Sequence, residues 1–142
     1  MPEGVGYGPQ NTASTGLNLN VIGNHAYAAS GIFDSITTTQ TLLKFTSGNF
    51  YFVGEITVSG GVEFSSGGLP NGTMNAFQLS FNGTVLAVYK TDTNDEDMFS
   101  SHSMPIIIPP YTEVQIDMVA NANNTGDMAS CAINGRIYGK VD

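Results

Sequence analysis

From residue 24 to residue 138 the apolar positions fall in short runs, and many of them alternate with polar residues at a period of two. No window holds apolar residues at i, i+3, i+4 and i+7 long enough for an amphipathic helix. The runs are rich in Val, Ile, Thr, Phe and Tyr, and Gly, Asn, Pro and Ser clusters separate them, which is the signature of strands and turns. The pattern predicts strands over 25–30, 35–45, 50–59, 74–81, 84–90, 104–108, 112–121 and 128–138, with a short piece at 62–65. The clearest hairpin joins Phe77–Phe81 to Thr84–Val88 through Asn82-Gly83. Asn-Gly supplies the two positive φ angles of a two-residue turn whose twist matches its strands. Eight or nine strands in so short a stretch predict an all-β, antiparallel sandwich or barrel.

The two faces of each strand carry the next inference. In 112–121, Val114, Ile116, Met118 and Ala120 alternate with Glu113, Gln115 and Asp117, so one face is wet. In 50–59, Phe50, Phe52, Ile56 and Val58 share a face, while Tyr51 and Val53 occupy the other. Ile106, Ile107 and Ile108 leave neither face of 104–108 polar, and 128–138 opposes Cys131, Ile133 and Ile137 to Ala132 and Tyr138. A small sandwich has one interior. Strands apolar on both faces therefore imply a second covered surface, most simply a subunit interface, with Tyr51, Val53, Ile107, Ala132 and Tyr138 as its residues. The strand 84–90 is also two-sided, through Leu86 and Val88, and one interface does not account for it.

Residues 1–23 differ from the rest. They are rich in Gly, Pro, Asn and Gln and lack periodicity, so they read as an extended N-terminal arm ahead of a β domain over 24–142. Val5, Tyr7, Leu17 and Leu19 are its candidate anchors on a partner.

Charge changes the picture of the surface. Only 11% of the residues are charged, against about 25% in an ordinary domain. Ser, Thr, Asn and Gln together number 43 and do the polar work. Amides and hydroxyls cost less to bury than charges, so such a surface suits life inside an assembly. The net charge of −8 argues against nucleic acid, which needs a basic patch to displace counterions, and against anionic membranes. No apolar run is long enough for a transmembrane helix, and no apolar segment near the start reads as a signal peptide.

Catalytic and metal-binding patterns are weak. His25 and His102 are the two histidines; Ser101 and Ser103 flank His102 without a nucleophile elbow, and two histidines cannot form a three-histidine zinc site. Asp92, Asn94 and Glu96 have the opening spacing of a calcium loop, but Asp97 and Ser103 stand where Gly and Glu are needed. The run reads instead as a solvated acidic loop. Asn71, Asn82 and Asn123 sit in Asn-x-Thr triplets, which chance supplies in a chain this rich in both residues. Cys131 is alone among small apolar neighbours and reads as a buried, inert thiol. No catalysis, metal or cofactor is expected.

Ser47-Gly48-Asn49-Phe50-Tyr51-Phe52 resembles the Gly-x-Tyr-x-Phe signature of the central strand in the trimeric jelly rolls of the tumour-necrosis-factor and complement-type superfamily. Phe81-Asn82-Gly83 resembles their middle hairpin, and Ile133-Asn134-Gly135-Arg136-Ile137-Tyr138 their closing strand. Phe50 stands where Tyr is usual, and the usual closing Phe is absent. The resemblance implies an antiparallel jelly-roll sandwich of about eight strands. It further implies a homotrimer in which the central, sixth and last strands face the three-fold axis. In style the whole chain resembles capsid decoration proteins of marine-type tailed phages, through its Gly/Pro/Asn arm, uncharged β domain and acidic balance. That implies a virion protein on the capsid surface, bound to the major capsid protein. The rival from another class is a receptor- or glycan-binding tip of a phage fibre, which calls for aromatic platforms in loops. The loops 60–73, 91–103 and 121–127 hold only Phe64 and Phe99. An enzyme lacks its constellation, and a secreted cytokine-like ligand lacks its signal peptide.

Overall fold

The computed structural model describes residues 19–62, 74–92 and 100–139, and among these it forms ten strands and no helix. In chain order they are β1 (Asn20–Ile22), β2 (His25–Ala29), β3 (Phe33–Ser35), β4 (Gln40–Thr46), β5 (Tyr51–Val62), β6 (Met74–Phe81), β7 (Thr84–Asp92), β8 (Ser100–Ile108), β9 (Glu113–Ala120) and β10 (Asn124–Tyr138). A four-stranded sheet runs β4-β9-β6-β7, and a second sheet runs β1-β2-β10-β5-β8 with β3 paired to β10. All pairings are antiparallel. Counting the eight long strands from β2 and leaving out β3, the sheets hold strands 2-7-4-5 and 1-8-3-6, which is jelly-roll order. The expected all-β jelly-roll sandwich is the observed one.

The core lies between the sheets. Phe52, Ile56, Val58, Ile108 and Ile133 of the larger sheet meet Leu42, Leu43, Phe77, Val114, Ile116 and Met118 of the smaller one, all at 1% exposure or less. Burying side chains of this size stabilises the fold by roughly 1.5–3 kcal/mol each. Leu42 and Leu43 are both buried although they are neighbours on one strand. The register explains it: Ile116 pairs with Leu43 and Asp117 with Thr41, so Leu42 is the extra residue of a β-bulge and turns inward as well.

Several boundaries differ from the sequence reading. The stretch 35–45 is two strands in different sheets, β3 and β4, and the chain crosses between them at 36–39. The crossing is fastened by Asn123, whose Oδ1 accepts from the Thr37 amide at 2.8 Å. Strand β8 starts at Ser100 rather than 104, and it tolerates Pro105 because it is a sheet edge. Strand β10 starts at Asn124 rather than 128. Residues 20–22, read as arm, form β1 and pair with β2 through Gly23-Asn24. Gly23 has φ +60 and Asn24 has no positive φ, the form of a type II′ turn. In the Asn82-Gly83 hairpin both residues have positive φ, as type I′ requires. Asn82 Oδ1 also accepts from the Glu113 amide at 2.9 Å, tying that turn to β9.

Strand β7 is the far edge of the four-stranded sheet. Ser80 pairs with Val85 and Leu79 with Ala87, which leaves Leu86 as a bulge residue. Val85, Leu86 and Val88 are each about half exposed. Their two-sided character therefore arises from a bulged edge strand.

Candidate interaction surface

The outward face of the six-stranded sheet is built by the odd residues of β5 and the even residues of β10. Strand register places Tyr51 opposite Tyr138, and Val53 opposite both Arg136 and Ile107. Arg136 in turn faces His25, and His25 faces Ile22. One row thus reads Ile107, Val53, Arg136, His25, Ile22 across five strands. The next reads Pro105, Glu55, Asn134, Tyr27, Asn20. Tyr51, Val53, Ile107 and Tyr138 are between 41% and 60% exposed. The three strands read as apolar on both faces, β5, β8 and β10, are immediate neighbours, so their outward apolar residues form one patch.

Toward the other end the same face is small and hydroxylated. Thr57 pairs with Ser103 and Ala132, and Ser59 with Ser101 and Ser130. The Thr57 and Ser103 hydroxyls share a hydrogen bond of 2.8 Å. Ala132 lies in this half, two rows from Val53, half-buried and opposite Ala29. It shares the face with Tyr51, Val53, Ile107 and Tyr138 but stands outside their patch.

Two glycines bring β5 and β10 together beneath the patch. Gly54 pairs with Gly135, and their missing side chains would point into the core. A Cβ on Gly135 would overlap the Val53 carbonyl oxygen and stand 2.5 Å from Gly54 Cα and 2.9 Å from Phe52 Cζ. The Phe52 ring thus covers a bare Gly–Gly pair. At the same end Ser47 locks the entry to β5: its Oγ donates to the Pro109 carbonyl at 2.7 Å and accepts from the Thr112 amide at 2.9 Å.

Of the anchors assigned to the arm, Leu19 is half-buried and packs against this chain's own core. Val5, Tyr7 and Leu17 lie outside the described residues, as does most of the acidic run after Asp92. Among the described residues no three His, Cys, Asp or Glu side chains stand close enough to hold a metal ion. No helix there is long and apolar enough to cross a membrane. His102 lies on β8 opposite Val58, and its neighbour Ser103 is engaged by Thr57. Cys131 is 2% exposed, and burial pushes its thiol well above the usual range.

Strand-by-strand alternation did not single out Ile22, Tyr27, Glu55 or Arg136 on this face. For Ile22 and Tyr27 the available signal was Gly23-Asn24, a two-residue hairpin turn that brings 20–22 into the sheet.

No family model matches the chain, and no curated protein matches it in sequence. Among solved structures, the VP2 subviral particle of infectious bursal disease virus is similar with a TM-score of 0.45 at 11% identity, over 96% of this chain and 37% of that one. A chain of the Gx strain of the same virus gives 0.43 at 14%, over 79% and 32%. The C-terminal domain of the sugar-binding protein EclA gives 0.37 at 14%, over 87% of each. This chain spans about a third of the length of the viral chains it resembles.

Proposed function

We propose that this chain is a virion structural protein: a homotrimer that decorates a capsid, bound to the major capsid protein through its N-terminal arm, without catalysis or cofactor. The observation that carries the reading is the exposed apolar patch of Tyr51, Val53, Ile107 and Tyr138 on the regular face of a sheet. Loop platforms take small ligands, whereas a flat sheet face with aromatic and β-branched residues suits a second protein surface. The resemblance to trimeric jelly rolls implies a subunit contact on this same sheet. The charged fraction of 11% supports a chain that lives among other proteins.

Two measurements test this reading. Light scattering of the purified full chain at micromolar concentration is expected to give three times the 15.0 kDa chain mass. Co-sedimentation with undecorated particles, followed by electron microscopy, is expected to place it on the outer shell. A stable monomer overturns the trimer. Location at a fibre tip, together with glycan binding on an array, overturns the decoration role in favour of the receptor-binding alternative.

A further inference from the structure

The apolar patch contains two opposite charges that have no partner among the described residues. Glu55 and Arg136 are both exposed on the outward face of the six-stranded sheet, on the adjacent strands β5 and β10. Arg136 lies between Val53 and His25, and Glu55 lies between Pro105 and Asn134. On the face they are diagonal neighbours: Arg136 is opposite Val53, two residues before Glu55. Among the described residues neither side chain makes a salt bridge or hydrogen bond. Both are open to solvent in the single chain. Once a partner covers Tyr51, Val53, Ile107 and Tyr138, both charges lose water and need a counter-charge across the contact.

We propose that the occupant of this face is a second copy of this chain, held head to tail so that Arg136 of each copy pairs with Glu55 of the next. The proposal rests on the self-association argued above and adds its register. Each copy carries one charge of each sign on the same patch, so a rotated copy offers a matching charge for each one covered. A cyclic ring uses two different parts of the patch at every contact, one carrying Arg136 and the other Glu55. A guanidinium and a carboxylate can pair through two parallel hydrogen bonds, which fixes orientation as well as attraction.

The test is charge reversal read by light scattering and native mass spectrometry, with circular dichroism to check folding. Glu55→Arg alone and Arg136→Glu alone are each expected to lower the association constant at least tenfold, because like charges then meet at every contact. The double variant carrying both changes is expected to regain the wild-type oligomer. Mixing the two single variants separates the contacts. In a head-to-tail trimer of two Glu55→Arg copies and one Arg136→Glu copy, two of three contacts join opposite charges, so mixed oligomers form where neither variant assembles alone. Rescue by the double variant without rescue by mixing would place the pair within one chain and overturn the proposal. Single reversals that assemble like wild type would overturn it too. A wild-type chain that is itself monomeric defeats the self-association reading, a separate and distinguishable result.

Discussion

At the scale of single residues, alternation made the core readable and left its tightest contact hidden. Phe52, Ile56 and Val58 fall on the buried side as their spacing predicts. Gly54, between them, looked like a gap in that face; its reason is Gly135, 81 positions later, and only the strand register brings them together. Gly135→Ala is expected to lower stability by about 3 kcal/mol, because the added methyl meets backbone and the Phe52 ring and neither can yield freely. Thermal unfolding by circular dichroism reads this, and an unchanged melting temperature would mean the two strands are further apart than described. Cys131 was expected from its neighbours to be a buried, inert thiol, and it is buried. Its thiol ionises less readily when folded than when unfolded, where the ordinary value is near 9.0. The stabilising contribution of the neutral thiol is therefore complete below that pH and declines above it, by about 1.4 kcal/mol per pH unit. Urea titrations between pH 8 and 10 are expected to show a steeper alkaline loss for wild type than for Cys131→Ala. Parallel losses would place the thiol in solvent.

At the scale of elements, local patterning found every long strand and failed where a short segment changes sheet or hides in irregular surroundings. The run 35–45 is β-prone throughout, with three threonines at 37–39, so nothing local marks the crossing from β3 to β4. Which sheet a strand joins is a tertiary property. Strand β1 was absorbed into the arm because Gly, Pro and Asn dominate the residues before it, although its turn was visible. Two truncations separate arm from domain. Removing residues 1–18 spares Leu19, which packs on the core, and β1, which pairs with β2. Removing 1–22 takes both away and bares the edge of β2. The first deletion is expected to leave the melting temperature within a few degrees of wild type, and the second to lower stability by about 2 kcal/mol or more. Equal melting temperatures for the two would show that β1 adds nothing to the fold.

At the scale of the whole molecule, the useful fact is that three strands far apart in sequence, each apolar on both faces, are neighbours in one sheet. Sequence named Tyr51, Val53, Ile107 and Tyr138 strand by strand; the jelly-roll order makes them one surface. Ala132 lies away from it because the same face turns to small and hydroxylated residues after two rows. The consequence for mutation is a separation of fold from assembly. Tyr51 and Tyr138 are 46% and 52% exposed in the single chain, so a charge placed there leaves a folded monomer with a solvated side chain. In an oligomer covering that face, the same charge is buried without a partner, at a cost on the order of 3 kcal/mol per contact. Tyr51→Glu and Tyr138→Glu are therefore expected to shift dissociation by two orders of magnitude or more while circular dichroism and melting temperature stay close to wild type. Lys44→Glu is the matched control, since Lys44 is exposed on the outward face of the other sheet, opposite Gln115, and it is expected to leave the oligomer intact. Light scattering across a dilution series reads all three. If Lys44→Glu dissociates the oligomer and the tyrosine variants do not, the contact lies on the four-stranded sheet. The bulged edge with Val85, Leu86 and Val88 would then be the place to look for it.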